Sequence, residues 1–127
     1  MEGLVHLTTL FDTSVLTGPA SGPPPDLGGD SAVSVVTIGE LYAGVLLATR
    51  GDTQSARLRR LAAVLSEATM LDMGRKVATA YGDIRMVAGR VPSNELWIAA
   101  TALAHDLTLL TRDERQATLP LVRTRLI

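Results

Sequence analysis

Cysteine is absent from the 127 residues, which excludes disulfides and thiolate chemistry. Aromatics are nearly missing as well, with one Phe, one Trp and two Tyr. The core must therefore be aliphatic and alanine-rich, and a groove that stacks bases on aromatic rings is not expected. Neither sign of charge dominates: 12 Lys and Arg against 13 Asp and Glu leave a net charge of −1. Global attraction to nucleic acid is thereby excluded, and any such binding must come from local arginines or bound cations. No apolar run is long enough to cross a bilayer, and the N-terminus lacks a basic region followed by a hydrophobic one. The expectation is a cytoplasmic protein with no membrane partner.

What is present is a chain with 46% hydrophobic residues, enough for an ordered interior and sized for one domain over 1–127. The rest is organised around residues 94–113. From Leu96 to Ala104 nearly every residue is apolar or small, with Thr101 the one hydroxyl, as in a helix buried all round. Ser93 and Asn94 are candidate N-caps. His105-Asp106 breaks the pattern, and Leu107–Thr111 reads as an interior strand. A helix from Glu95 to His105 spans ~16 Å. A strand from Leu107 to Arg112 spans roughly 20 Å. A reversal at His105-Asp106 then returns the chain to its starting level, placing Glu95 and Asp113 at the same end of the domain.

Earlier in the chain, Leu4–Phe11 is a strand candidate containing His6 and ending at Asp12, which opens a short helical turn. Residues 17–30 are rich in glycine and proline and read as a loop. Ser31–Val36 is a second strand, and Thr37-Ile-Gly-Glu40 opens a helix that runs to about Arg50 and is ended by Gly51-Asp52. Thr53–Glu67 and Gly74–Gly89 carry helical periodicity, Met70–Asp72 suggests a short edge strand, and Pro120–Ile127 a last one. Strands alternating with helices imply an α/β fold whose mainly parallel sheet is covered on both faces. Ligands of such folds gather at the carboxyl ends of the strands.

Four carboxylates point to that end: Asp12 after the first strand, Glu40 in the first turn of the helix leaving the second, Glu95, and Asp113. Each has a local explanation. Thr37-x-x-Glu40 fits a capping box; Asp12 could cap a turn; Glu95 suits a helix N-terminus; Asp113 could be a solvated loop acid. Jointly, four acids at one place repel one another unless a cation joins them. Hard oxygen donors suit Mg²⁺ or Mn²⁺. Carboxylates holding such ions recur where phosphodiesters are cut, because the ion acidifies a water and neutralises the phosphate. Ser14 and Thr111 could supply hydroxyls there, although hydroxyls at element ends usually form local caps. His6 and His105 read as structural, His105 suiting the negative end of a helix. Arg85, Arg90, Arg112 and Arg115 could track a phosphate backbone or be ordinary solvated arginines. Tyr42 and Trp97 read as packing the core or a dimer surface.

The blocks Phe-Asp12-Thr-Ser-Val-Leu, Ser-Val-Val-Thr-Ile-Gly-Glu40-Leu, Asn-Glu95-Leu-Trp-Ile-Ala-Ala-Thr-Ala and Leu-Leu-Thr-Arg-Asp113 resemble, in order, the motif set of PIN-domain ribonucleases. The chain is most similar to the VapC toxins of type II toxin–antitoxin systems. The resemblance implies a three-layer α/β/α fold and Mg²⁺- or Mn²⁺-dependent endoribonuclease activity on RNA. It also implies a homodimer and neutralisation by a cognate antitoxin in a hetero-oligomer. Asp12, Glu40 and Asp113 match the metal-site acids of the family, and with Glu95 they form the expected catalytic and metal-binding set. Glu95 falls where the family usually has Asp, one methylene shorter. The Pro/Gly-rich loop and the lack of a Phe soon after the last motif are further departures. Two other readings are a catalytically silent PIN-like binding module and a haloacid-dehalogenase-type phosphatase. The phosphatase would need a second acid two residues after Asp12, where Ser14 stands.

Overall fold

Short strands with alternating side chains build the centre of the molecule. The computed structural model describes residues 6–17 and 26–127. Among them run β1 (Thr9–Phe11), α1 (Thr13–Leu16), β2 (Ser31–Ser34), α2 (Val35–Leu47), α3 (Gly51–Glu67) and β3 (Thr69–Leu71). They are followed by α4 (Arg75–Ala88), α5 (Ser93–Ala104), β4 (Thr108–Thr111), α6 (Glu114–Ala117) and β5 (Thr124–Leu126). The strands form one sheet in the order β3-β2-β1-β4-β5. All four pairings are parallel, with Thr9 opposite both Ser31 and Thr108.

The period of two sorts the core into two layers. Leu10, Ala32 and Leu109 join Val77, Ala80 and Ile84 of α4 and Leu96, Ile98 and Ala99 of α5. Their chain neighbours Phe11, Val33 and Leu110 face the other way, onto Leu16, Leu41, Val45, Leu61 and Val64. Helices therefore cover both faces of the sheet, the α/β/α arrangement expected from the sequence. No helix of the described residues is long and apolar enough to cross a membrane.

The 94–113 unit has the expected form. α5 is buried along most of its length, and Thr101 satisfies its hydroxyl within the helix by donating to the Trp97 carbonyl at 2.9 Å. At the reversal Asp106 takes φ 56°, and Arg123 donates to its carboxylate and its carbonyl, both at 2.8 Å. At the other end of α5, Arg85 donates to the carbonyls of Gly89 and Val91 and to the Tyr81 hydroxyl. Tyr81 in turn stacks on Trp97 with ring centroids 4.0 Å apart. Arg85 is thus a structural clamp between α4 and α5. Trp97 packs as expected, whereas Tyr42 is exposed on α2 and lies outside the core.

Several expected boundaries shift for local reasons. α2 begins at Val35, inside the expected second strand, because Ser34 is the N-cap and its Oγ accepts from the Val36 N–H. Glu40 therefore lies in the second turn, and no capping box operates at Thr37. α2 ends at Leu47, and Gly51-Asp52 open α3 instead of closing α2. Pro92, with neither Ser93 nor Asn94, holds the N-cap position of α5. His6 is exposed and precedes β1. α6 has no counterpart in the sequence reading. Leu4 and Val5 of the expected first strand, and residues 18–25 of the expected loop, lie outside the described residues.

Candidate active site

Parallel strands share one carboxyl end, so the residues after β1, β2 and β4 are brought to a common edge. Asp12 directly follows β1, its backbone N–H donating to the Leu110 carbonyl at 2.8 Å, and it is 5% exposed. It occupies the N-cap position of α1 but its side chain caps nothing. Instead Oδ2 accepts from Ser14 Oγ at 2.6 Å and from Thr111 Oγ1 at 2.9 Å. Each hydroxyl is itself oriented from behind. The Arg112 N–H donates to Ser14 Oγ and the Asp113 N–H to Thr111 Oγ1. A hydroxyl has one proton and two lone pairs, so both can accept from an amide and donate to the carboxylate together. Ser14 and Thr111 therefore position Asp12 across β1 and β4, beyond any capping role. Among the described residues Asp12 Oδ1 makes no hydrogen bond.

Glu40 is half-buried, and its Oε1 accepts from Thr13 Oγ1 at 2.7 Å. Thr13 also lies 2.9 Å from the hydroxyl of fully buried Thr37. One proton serves one acceptor at a time, so the Thr13 hydroxyl is shared between Glu40 and Thr37. The sequence reading did not single out Thr13 and placed Thr37 only in a capping box. Their signal is weak, since threonine at a helix start is ordinarily a cap.

Glu95 lies in the first turn of α5 with its side chain 25% exposed. Its backbone carbonyl accepts from Gln116 Nε2 at 2.8 Å, which ties α5 to α6. Its Oε1 lies 3.4 Å from Arg115 Nη2, and the same nitrogen is 3.8 Å from Asp113 Oδ2. Asp113 caps α6 through its other oxygen, accepting from the Arg115 N–H at 2.8 Å. Arg115 is therefore the cation between two of the acids, a role that spacing alone did not reveal. Arg112 uses only its backbone here.

The electrostatics join all four acids. Burial raises the Glu95 carboxyl above the ordinary range; Asp113 raises it further, Arg115 opposes this, and Asp12 and Glu40 add smaller repulsions. Asp12 and Glu40 are held by hydroxyls and Glu95 and Asp113 by Arg115, and among the described residues no three His, Asp or Glu side chains lie close enough to hold one metal ion. The donor set is otherwise one that a hard divalent cation favours, carboxylate and hydroxyl oxygens without imidazole or thiolate. His105, the C-cap of α5, is remote in role: burial, then Lys76, lowers its pKa, contrary to a cation settled at the helix end.

Comparison with known proteins gives a consistent picture. The PIN domain family model matches residues 10–120. Ribonuclease VapC4 of Mycobacterium tuberculosis is 39% identical over 118 residues, covering 87% of this chain and 90% of the relative. Among solved structures, VapBC-5 from M. tuberculosis, a member of the VapBC family of toxin–antitoxin systems, superposes with a TM-score of 0.80 at 31% identity, over 94% of this chain and 98% of that one. FitAcB from Neisseria gonorrhoeae superposes at 0.79 with 28% identity, over 92% and 96%. With its parallel α/β/α architecture and these matches over most of its length, the chain belongs to the PIN domain family and is a homologue of its VapC toxins.

Proposed function

We propose that this protein is a divalent-metal-dependent endoribonuclease, the toxin of a VapBC-type pair, in which Asp12, Glu40, Glu95 and Asp113 hold Mg²⁺ or Mn²⁺. The observation that carries this reading is placement: Asp12 directly follows β1, Glu40 is tied to Thr13 beside it, Asp113 follows β4, and Arg115 lies between Asp113 and Glu95. Such an arrangement works against folding unless it serves a cation. The names of the relatives, a ribonuclease and components of toxin–antitoxin systems, support the substrate class and a cognate antitoxin as partner. A homodimer belongs to the same proposal.

When bound, the ion supplies an acidified water and neutralises charge on the scissile phosphate. The chain supplies position. Ser14 and Thr111 fix Asp12 through one of its two oxygens, and Thr13 steadies Glu40. Glu95, paired here with Arg115, is the fourth ligand of the proposed set. The phosphatase reading fails on Ser14, whose proton is committed to Asp12 and which cannot act as the second acid. One observation favours a second reading, a catalytically silent binding module: the acids are individually held and not gathered beforehand.

The experiment is cleavage of single-stranded RNA with Mg²⁺ or Mn²⁺, by wild type and by Asp12→Asn. Activity should vanish with EDTA and with the substitution. Cutting that survives both overturns the mechanism. Calorimetry showing no Mn²⁺ binding by the wild type favours the silent module.

A further inference from the structure

A cleft of about 250 Å³ opens beside the acids, between the end of α4, the start of α5 and the segment after α6. Its walls include Val91, Pro92, Leu119 and Pro120, with Arg90 and Arg115 at the polar side and Glu95 shared with the candidate active site. Arg90 is exposed and makes no hydrogen bond or ion pair among the described residues. Arg115 is anchored at one nitrogen to Glu95 and Asp113, yet its side chain is 74% exposed, leaving most of the guanidinium free. In a chain of net charge −1, two arginines thus flank an apolar hollow that Glu95 also lines.

We propose that this cleft seats one nucleotide of single-stranded RNA next to the scissile phosphate, its ring against Val91, Pro92, Leu119 and Pro120 and its phosphate on Arg90 and Arg115. This rests on the nuclease reading above. Size argues for a single unit, since clefts for larger ligands begin at roughly 300 Å³. Chemistry argues for a nucleotide. An unstacked base takes an apolar floor and lies flat on guanidinium planes where aromatic rings are lacking. Arginine also pairs with phosphate through two parallel hydrogen bonds. Continuity completes the case, because Glu95 borders both the cleft and the acids, so a strand entering one runs into the other. The strand is thereby held by a local pair of cations where the whole-molecule charge offers no attraction.

The test separates binding from cutting. Fluorescence anisotropy of a labelled single-stranded oligoribonucleotide, with Ca²⁺ in place of Mg²⁺, compares wild type, Arg90→Ala and, as a control of equal charge change, Arg59→Ala on exposed α3. Arg90→Ala should weaken binding several-fold and lower the slope of log affinity against log salt by about 0.7, the loss of one single-strand phosphate contact. Arg59→Ala should change neither. In cleavage with Mg²⁺, Arg90→Ala should raise KM with kcat little altered. Equal affinity and slope for wild type and Arg90→Ala overturn the cleft as a nucleotide seat, even if cutting persists. The expected slope change without any cutting upholds the seat and overturns the nuclease reading. Failure of the wild type to bind RNA overturns both.

Discussion

Thr111 donates its hydroxyl proton to Asp12 Oδ2 at 2.9 Å, joining two residues 99 positions apart in the chain. The same oxygen of Thr111 accepts from the Asp113 backbone, so one hydroxyl fixes the first acid and the turn that carries the last.

Thr111→Val keeps the shape and removes that link. Thr111 is fully buried, so the Asp113 N–H is left without its acceptor and Asp12 with one donor fewer. The expected loss is about 1–3 kcal/mol. Urea unfolding monitored by circular dichroism measures it, and an unchanged midpoint would show that water replaces the hydroxyl.

The Glu95 carboxyl is raised by burial first and by Asp113 next. An acid raised by folding favours the folded state below its unfolded pKa, and that contribution is lost as pH rises through the folded pKa. At neutral pH ionised Glu95 therefore opposes folding of the metal-free protein. Glu95→Gln should raise the melting temperature at pH 7 in EDTA, and the gain should shrink towards about pH 4, where the carboxyl is largely protonated. Loss of the exposed Arg115 pair subtracts little. Melting temperatures at the two pH values decide the sign.

Added Mn²⁺ should reverse that order. A ligand that binds only the folded state stabilises it by mass action. Wild type should therefore gain more than Glu95→Gln. Equal gains would remove Glu95 from the ion's ligands.

Glu95→Asp shortens the side chain by one methylene and weakens its contact with Arg115. Cleavage should stay within about tenfold of wild type, about 1.4 kcal/mol in the barrier, whereas Glu95→Gln should lose far more. Equal losses in both would mean that reach, rather than charge, decides the function of this acid.

Arg85→Ala removes the clamp on the Gly89 and Val91 carbonyls and the support under Tyr81. Stability should fall by about 1–3 kcal/mol. Trp97 fluorescence should change too, because its stacking partner loses its anchor. An unaltered unfolding curve would assign these contacts no weight.

Long apolar patterns carried the fold in the sequence. The all-apolar run of α5, its break at Asp106 and the strand that follows were legible because burial on every side leaves no other composition. Helix starts were less so. Thr37-x-x-Glu40 has the form of a capping box, but Ser34 reaches the Val36 N–H first, and both Thr37 and Glu40 turn instead towards Thr13. The partners of the acids were not legible: Thr13 meets Glu40, and Arg115 and Gln116 meet Glu95, only through tertiary contacts. Arg85 and Arg115 look alike as letters, yet one braces a loop and the other faces carboxylates.

Among the described residues the sheet holds no antiparallel pair, so none of these strands is joined to its neighbour by a hairpin. The pairing of β1 with β4 brings Thr9 to Thr108 and waits until everything between them has been synthesised. Such distant pairings make folding slow. During translation Asp12 therefore stands without its Thr111 donor until β4 emerges.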